Sequence, residues 1–385
     1  MKIGFDGKRA VANMTGLGNY SRLVIERLAE QYPLDTLLVY TPALRPNPRL
    51  EPVSRLHNVE FRLPPPQGFK GSLWRTFGIT NNLRADRIDI FHGLSNELPL
   101  NIRRSGVPSV VTVHDVIYRR MPECYSPADR FLYDYKYGRS CRNADRIIAV
   151  SECTRRDITE YYGIDPQRID VIYQGCDKSF GRRATSAELD DLRRRLQLPQ
   201  RYILQVGTIE KRKNLELTVR ALSALRPDIH LVVVGRDRHG YRRYVDRIAD
   251  ELGVTPRVHY YEGLPFSDLP LLNQAAEVIA YPSHYEGFGI PVLEGLESCR
   301  PVVAATGSCL EEAGGMDSIY VDPKSPRQMA EAIGSILDGT VDVSAMTAAG
   351  KAYAARFGKA DMASEIKYTY SRAIDAFHRQ QEAKH

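Results

Sequence analysis

Short apolar runs alternate with amphipathic stretches along nearly the whole chain, and this alternation limits the fold more than any other feature. In the first half, strand-like runs fall at Lys2–Phe5, Leu37–Thr41, Val59–Arg62, Ile88–His92, Pro108–His114, Arg146–Val150 and Ile169–Ile172. Helical patterns separate most of them, at Asn19–Gln31, Ser72–Ala85, Ser126–Asn143 and Cys153–Tyr162. Parallel strands need such crossovers, and a sheet covered on both faces reads as apolar runs. The polar, Arg-rich stretch Asp177–Arg201 interrupts the rhythm, which then resumes. Strands are expected at Tyr202–Val206, Ile229–Val234, Val258–Tyr260, Val278–Tyr281, Val302–Ala304 and Ile319–Val321, and the pattern is helical beyond Val341. With 385 residues the chain is too long for one small domain. The expectation is an α/β protein of two doubly wound, Rossmann-like domains, residues 1–180 and 181–359, facing a central cleft.

Several classes are excluded on composition and motif. The longest apolar stretches, Pro108–Val113 and Ile229–Val234, are far shorter than a membrane-spanning helix. The opening MKIGFDGKRA lacks the apolar core of a signal peptide and reads as a first strand, so a cytoplasmic protein is expected. The six cysteines have no CxxC or zinc-like spacing and read as reduced, mostly buried thiols. No P-loop, G-x-S-x-G, H-E-x-x-H or nucleic-acid module occurs, and no D-x-D ends a strand, so no metal site is expected. Residues 1–180 carry 26 Lys/Arg against 20 Asp/Glu, and residues 181–385 carry 27 against 27. The formal charge of +6 therefore lies in the first half, which suits an anionic partner such as a membrane surface or phosphorylated acceptor, or is a solvated basic face.

Four segments can carry chemistry. Thr15-Gly16-Leu17-Gly18-Asn19-Tyr20 precedes a helix, where glycines let a ligand approach the backbone; the dinucleotide fingerprint is incomplete, and an ordinary turn fits as well. His114-Asp115 closes an apolar strand, at the edge where α/β folds place ligands, or is simply a capping histidine. Lys211-Arg212-Lys213 puts three cations before a helix, repelled by its dipole, and a diphosphate would relieve them; a solvated charge run is the alternative. Glu286 and Glu294 flank a donor-rich loop, Gly287-Phe288-Gly289-Ile290, with Pro291 suited to a first helical turn. Two acceptor carboxylates beside free amides make a clamp for sugar hydroxyls. Two irregular insertions, Thr41–Pro52 with four prolines and Pro64–Pro66 followed by Gln67–Gly71, read as loops.

At these residues the sequence resembles the retaining, nucleotide-sugar-dependent glycosyltransferases of family 4, which have the GT-B fold. The resemblance runs through Gly16–Tyr20, His114-Asp115, Ala149–Glu152, Val171–Asp177, Val206-Gly207 to Lys213-Asn214, Tyr281-Pro282-Ser283, the E-x7-E pair and Arg300–Ala304. It implies that Arg212 and Lys213, beside Gly207 and Thr208, hold the donor diphosphate, with Thr208 standing where many members carry Arg. It further implies that Glu294 accepts from ribose hydroxyls. Glu286, with the backbone of Gly287, Phe288, Gly289 and Ile290, takes the donor sugar. His114 and Asp115 belong to the opposite wall near the transferred sugar, and Gly16 and Gly18 approach the phosphates or sugar. A C-terminal helix, about 360–385, packs back on the first domain. No cofactor is implied beyond a nucleoside diphosphate sugar, GDP-mannose favoured and a UDP-sugar the alternative.

The implied function is hexosyl transfer to a glycan or lipid-linked acceptor in surface polysaccharide synthesis, such as lipopolysaccharide, without nucleic acid or metal. Catalysis would rest on His114, Glu286, Arg212 and Lys213. Ser72–Ala85, with Trp74 and Phe77 beside Arg75 and Arg84, is either a peripheral contact with the cytoplasmic face of the inner membrane or a core-packed helix. The competing functions are a nucleotide-sugar epimerase, a non-catalytic sugar-binding protein and, on the incomplete glycine fingerprint, a dehydrogenase.

Overall fold

A computed structural model describes residues 1–67, 71–238, 240–359 and 361–383. Gly68, Phe69 and Lys70 of the second proline-rich insertion lie outside the described residues.

The first sheet holds seven strands: β1 (Lys2–Asp6), β2 (Thr36–Tyr40), β3 (Val59–Arg62), β4 (Ile90–Gly93), β5 (Ser109–Val113), β6 (Arg146–Ala149) and β7 (Ile169–Val171). Their order is β3-β2-β1-β4-β5-β6-β7, with every pair parallel. The second sheet holds β8 (Tyr202–Val206), β9 (His230–Val234), β10 (Val258–Tyr261), β11 (Val278–Tyr281), β12 (Val302–Ala305) and β13 (Ile319–Val321). It repeats the scheme, again all parallel, as β10-β9-β8-β11-β12-β13. Central strands are buried on both faces, which is why β5 reads SVVTV and β9 HLVVV with no polar alternation. In each sheet the chain reverses direction between its first and fourth strands, and the crevice at such a reversal is where doubly wound sheets bind ligands.

The chain divides into two compact units, Met1–Gln174 with the final helix from Asp361, and Gly175 up to that helix. The second unit begins six residues before the expected boundary because Phe180 is buried in it. The Phe180 ring packs on Phe266, and its carbonyl accepts from Ser298 Oγ. The helix Met362–Glu382 lies on the first unit through buried Ile366, Tyr370 and Ala373, and Arg372 pairs with Asp170 at 2.6 Å.

Three local expectations change. The helix drawn from Asn19 starts at Gly16, so the glycine pair is its first turn and not a loop ahead of it. Ser72–Ala85 is not one regular helix: a wide π-helical turn, Trp74–Gly78, separates Gly71–Leu73 from Ile79–Ala85, where Arg75 is drawn inward to Asp6 and Glu97. The insertion Thr41–Pro52 contains a 3-10 turn, Pro48–Leu50, that buries Leu50. Its Asn47 and Arg49 side chains donate to Val11 and Met14 carbonyls. All six cysteines are free, and among the described residues no helix is long and apolar enough to cross a membrane.

Candidate active site

In the second unit the carboxyl ends of β8 and β11 converge on one carboxylate oxygen. Glu286 Oε1 accepts from Lys213 Nζ at 2.6 Å, Ser283 Oγ at 2.5 Å and Tyr281 OH at 3.2 Å, and pairs with the Arg212 guanidinium, Nη1 at 2.7 Å. Its other oxygen, Oε2, takes no hydrogen bond from the described residues. Burial alone would raise the Glu286 pKa, but the Arg212 and Lys213 charges outweigh it and hold the carboxyl at about 2. The same burial pushes the Lys213 ammonium down, with Glu286 pulling against it. Lys213 also donates to Tyr281 OH at 2.6 Å and lies 5.0 Å from that ring's centre, so two of its three protons are bonded within the unit.

Local structure explains how three neighbouring cations are tolerated. Lys211–Lys213 form a single 3-10 turn, closed by Asn214 in the left-handed conformation, φ +56°. The Asn214 amide donates to the Pro282 and Pro323 carbonyls, and Gln205 on β8 holds the Lys213 carbonyl. Arg212 is clamped between Glu210 at 2.7 Å and the Tyr285 carbonyl at 2.9 Å. Thus Arg212 and Lys213 are not a solvated run; Glu210 and Glu286 offset the repulsion between them.

The loop 286–289 leads into the helix Ile290–Glu297, with Pro291 in its first turn as its sequence predicts. Gly289 has φ +113°, and a Cβ there would lie 2.7 Å from Leu310 Cδ2, so only glycine fits. Cys309 Sγ donates toward the Glu286 and Phe288 carbonyls at 3.1 and 3.0 Å, and the Phe288 ring packs on Phe357. Ile290 opens the helix. Gly207 turns the chain after β8 and its amide is bonded to Val234 O; half-buried Thr208 follows. Glu294 lies farther along the same helix, half-buried, with no side-chain hydrogen bond to the described residues. Burial, with Asp177 adding repulsion, raises its pKa to about 8. A surface cavity of about 280 Å³ opens beside this helix, lined by Gly175, Cys176, Asp177, Leu293 and Glu297 among others.

The first unit holds the other predicted residues. His114 follows β5; its ring nitrogen Nε2 lies 2.9 Å from Leu94 O, and its amide donates to Asn96 Oδ1. A carbonyl only accepts, so Nε2 carries the proton and Nδ1 is an acceptor. Burial lowers the His114 pKa to about 4, so the ring is neutral near pH 7. Its edge-on neighbour is Tyr20, at 4.6 Å. The partner that orients His114 is thus Leu94, while Asp115 accepts from Ile117 N, two residues on.

Gly18 approaches Asn13 so closely that a Cβ would fall 1.9 Å from its carbonyl oxygen, whereas Gly16 has open space. The Gly18 amide is already bonded to Thr15 O and Asn13 Oδ1. Buried Arg22 fastens this turn, donating to the Ala10 and Asn13 carbonyls and to Asn19 Oδ1.

Sequence reasoning missed several residues. Ser283 and Tyr281 complete the Glu286 cluster, Asn214 welds its loops and Cys309 pins the 286–288 backbone. In the first unit, His92 bonds Tyr370 OH at 2.7 Å and Thr112 Oγ1 at 2.8 Å, and Thr112 in turn meets Tyr20 OH. This buried chain links the final helix to the ring that packs on His114. Arg75 pairs with Asp6 at 2.6 Å and Glu97 at 2.6 Å beside the end of β1. Among the described residues no group of three or more His, Cys, Asp or Glu is placed to hold a metal ion.

The profile for "Glycosyltransferase Family 4" matches residues 14–180, and that for "Glycosyl transferases group 1" matches residues 190–353. A D-inositol 3-phosphate glycosyltransferase of Thermobispora bispora is 31% identical over 331 residues, covering 81% of this chain and 76% of the relative. An O-antigen chain mannosyltransferase B of Escherichia coli is 31% identical over 242 residues, 61% of each chain. Among solved structures, Anabaena Alr3699/HepE in complex with UDP and glucose superposes with a TM-score of 0.76 at 21% identity, over 96% of this chain and 99% of that one.

Proposed function

The chain belongs to the family 4, group 1 glycosyltransferases, and on that premise we propose that it moves a hexose, with retention, from a nucleoside diphosphate sugar to a glycan or lipid-linked acceptor in surface polysaccharide synthesis. One observation carries this: Arg212, Lys213 and Glu286 meet on a single carboxylate oxygen at the β8/β11 reversal. A diphosphate leaves readily only when its developing charge is neutralised, and positioned cations do this without a metal. Arg212 and Lys213 supply the charge, with the third Lys213 proton directed to phosphate. Glu286, kept ionised, offers Oε2 to the sugar's hydroxyls. Glu294, with no side-chain hydrogen bond among the described residues, accepts from the ribose. In the first unit, His114, as an acceptor at Nδ1, is assigned to substrate binding together with Asp115 and the Gly16–Gly18 turn. Sugar–phosphate cleavage passes through an oxocarbenium-like state. The departing phosphate takes the acceptor's proton, so the protein works by positioning and electrostatics. Mannose from GDP-mannose is the favoured donor, supported by the mannosyltransferase among the relatives; a UDP-sugar is the alternative, supported by the UDP-bound structural neighbour.

Thermal unfolding with GDP, UDP, ADP, CDP and NAD, each in EDTA and in Mg²⁺, tests this. A nucleotide at about 100 times its Kd adds roughly 2.7 kcal/mol to the folded state. One diphosphate should raise Tm by a few degrees in EDTA, and Arg212→Ala/Lys213→Ala should abolish the shift. No shift with any diphosphate, or a shift with NAD alone, overturns the donor site. Turnover of the matching sugar nucleotide, with the product anomer read by NMR, then fixes the sugar and the retention.

A further inference from the structure

We propose that the outward face of the helix Pro127–Asn143 docks on an anionic phospholipid bilayer. This helix already has a packed face. Tyr133 and Tyr137 stack on each other and meet Tyr118 edge-on, Tyr125 meets Tyr133 edge-on, and Gly138, Ser140 and Cys141 are buried. Yet Phe131 is 77% exposed, Leu132 44% and Tyr135 48%. With Ala128, they fall at i, i+3, i+4 and i+7, one stripe on the solvent side. Single exposed apolar residues are ordinary; three large ones on one helix face mark an interaction surface.

Charge decides the occupant. The same outward stripe continues into Arg139 and Arg142, with Arg130 next to Phe131 and with Arg103 and Arg104 on the neighbouring turn, whose Arg103 donates to the Arg142 carbonyl. Among the described residues none of these five arginines has a carboxylate within 4.0 Å, so five uncompensated cations border the stripe. An apolar stripe rimmed by uncompensated cations fits an interface of acyl chains under negative headgroups.

The expected lipid-facing segment, Ser72–Ala85, contributes less than its sequence suggests. Trp74 and Arg75 are buried, and only Leu73 and Phe77 among its large apolar residues point outward. Those two adjoin the docking helix through Leu100, whose amide donates to Thr76 O and whose carbonyl accepts from Arg139 Nε.

Flotation of the whole chain with phosphatidylcholine vesicles, with and without phosphatidylglycerol, tests the surface. Binding should require phosphatidylglycerol and weaken with salt. It should fall roughly fivefold for each arginine removed in Arg139→Gln/Arg142→Gln, and disappear in Phe131→Ser/Leu132→Ser/Tyr135→Ser. These residues are exposed, so that variant should keep the parent's Tm and its nucleotide-induced shift; the docking surface therefore stands or falls apart from the donor site. Equal binding to neutral vesicles, binding retained by the triple variant, or no vesicle binding at all overturns the proposal. So does self-association that the triple variant loses, which would make the occupant a second copy.

Discussion

The two units share one strand order but treat titratable groups in opposite ways at the ends of β4 and β5 and of β8 and β11. At the ends of β4 and β5, His92 and His114 are buried among neutral partners, carbonyl and hydroxyl oxygens, and burial holds them uncharged, at about 3 and 4. At the ends of β8 and β11, Glu286 is just as deeply placed but surrounded by cations and hydroxyls, and stays charged. The same desolvation works against both charged forms; only the second region supplies counter-charges. The first unit thus offers a neutral acceptor and the second a preformed ionic cluster.

The largest effect should come from breaking that cluster. Glu286→Ala leaves Lys213 and Arg212 near each other without their shared carboxylate, and removing one partner of a buried pair costs about 3–5 kcal/mol. Urea unfolding should show that loss, together with loss of transfer. Glu286→Gln should recover much of the stability and little of the activity.

Acid should then separate the regions. His92 and His114 have folded pKa values below the usual 6.5, so the unfolded chain takes up protons first, and stability falls as pH drops from about 6.5 toward 4 and 3. Glu286 lies below its usual 4.5, so its contribution is intact above 4.5 and lost as pH falls toward about 2. The single tryptophan, Trp74, belongs to the first unit. Its fluorescence should therefore change at a higher pH than the far-UV circular dichroism of the whole chain. Coincident transitions would show that the units respond as one.

Glu294 sharpens the comparison within one helix. Its pKa is raised from 4.5 to about 8, so the folded state keeps a proton that the unfolded chain gives up, and stability declines as pH rises across that interval. Glu294→Gln removes the decline: it should match the parent near pH 4.5, exceed it in Tm at pH 8, and bind nucleoside diphosphate more weakly. The smallest effect belongs to Tyr370→Phe. Losing its bond to His92 should cost about 0.5–1.5 kcal/mol, visible as an earlier Trp74 transition and unchanged nucleotide binding.

Much of this is legible in the sequence. Each strand follows its apolar run, because two-sided burial admits few polar residues, and the E-x7-E element stood out because Pro291 and two glycines punctuate it. What stayed hidden depends on contacts distant in sequence. Arg75 looks like the cationic rim of an amphipathic helix, and only Asp6, 69 residues away, reveals it as buried and the helix as interrupted. The role of Asn214 needs Pro282 and Pro323 beside it, although an asparagine between a cation run and a helix is itself a sign of left-handed backbone. Cys309 appeared as one more buried thiol; nothing local says that it holds the loop around Glu286. The sequence reads Arg212 and Lys213 as ligands for a diphosphate; the anion that the fold sets against them is Glu286, a residue of the chain itself.

The chain leaves its first unit at Gln174 and comes back to it only at Asp361. That path has a consequence for biosynthesis. Residues up to 174 emerge from the ribosome first, yet Ile366, Tyr370 and Ala373, which seal one face of their sheet, are made after the entire second unit. The later unit is continuous and can close on itself during synthesis, while the earlier one waits with β5 and β6 uncovered. Order of translation and order of completion are thereby inverted, and the nascent first unit is the stretch that a chaperone would have most reason to hold.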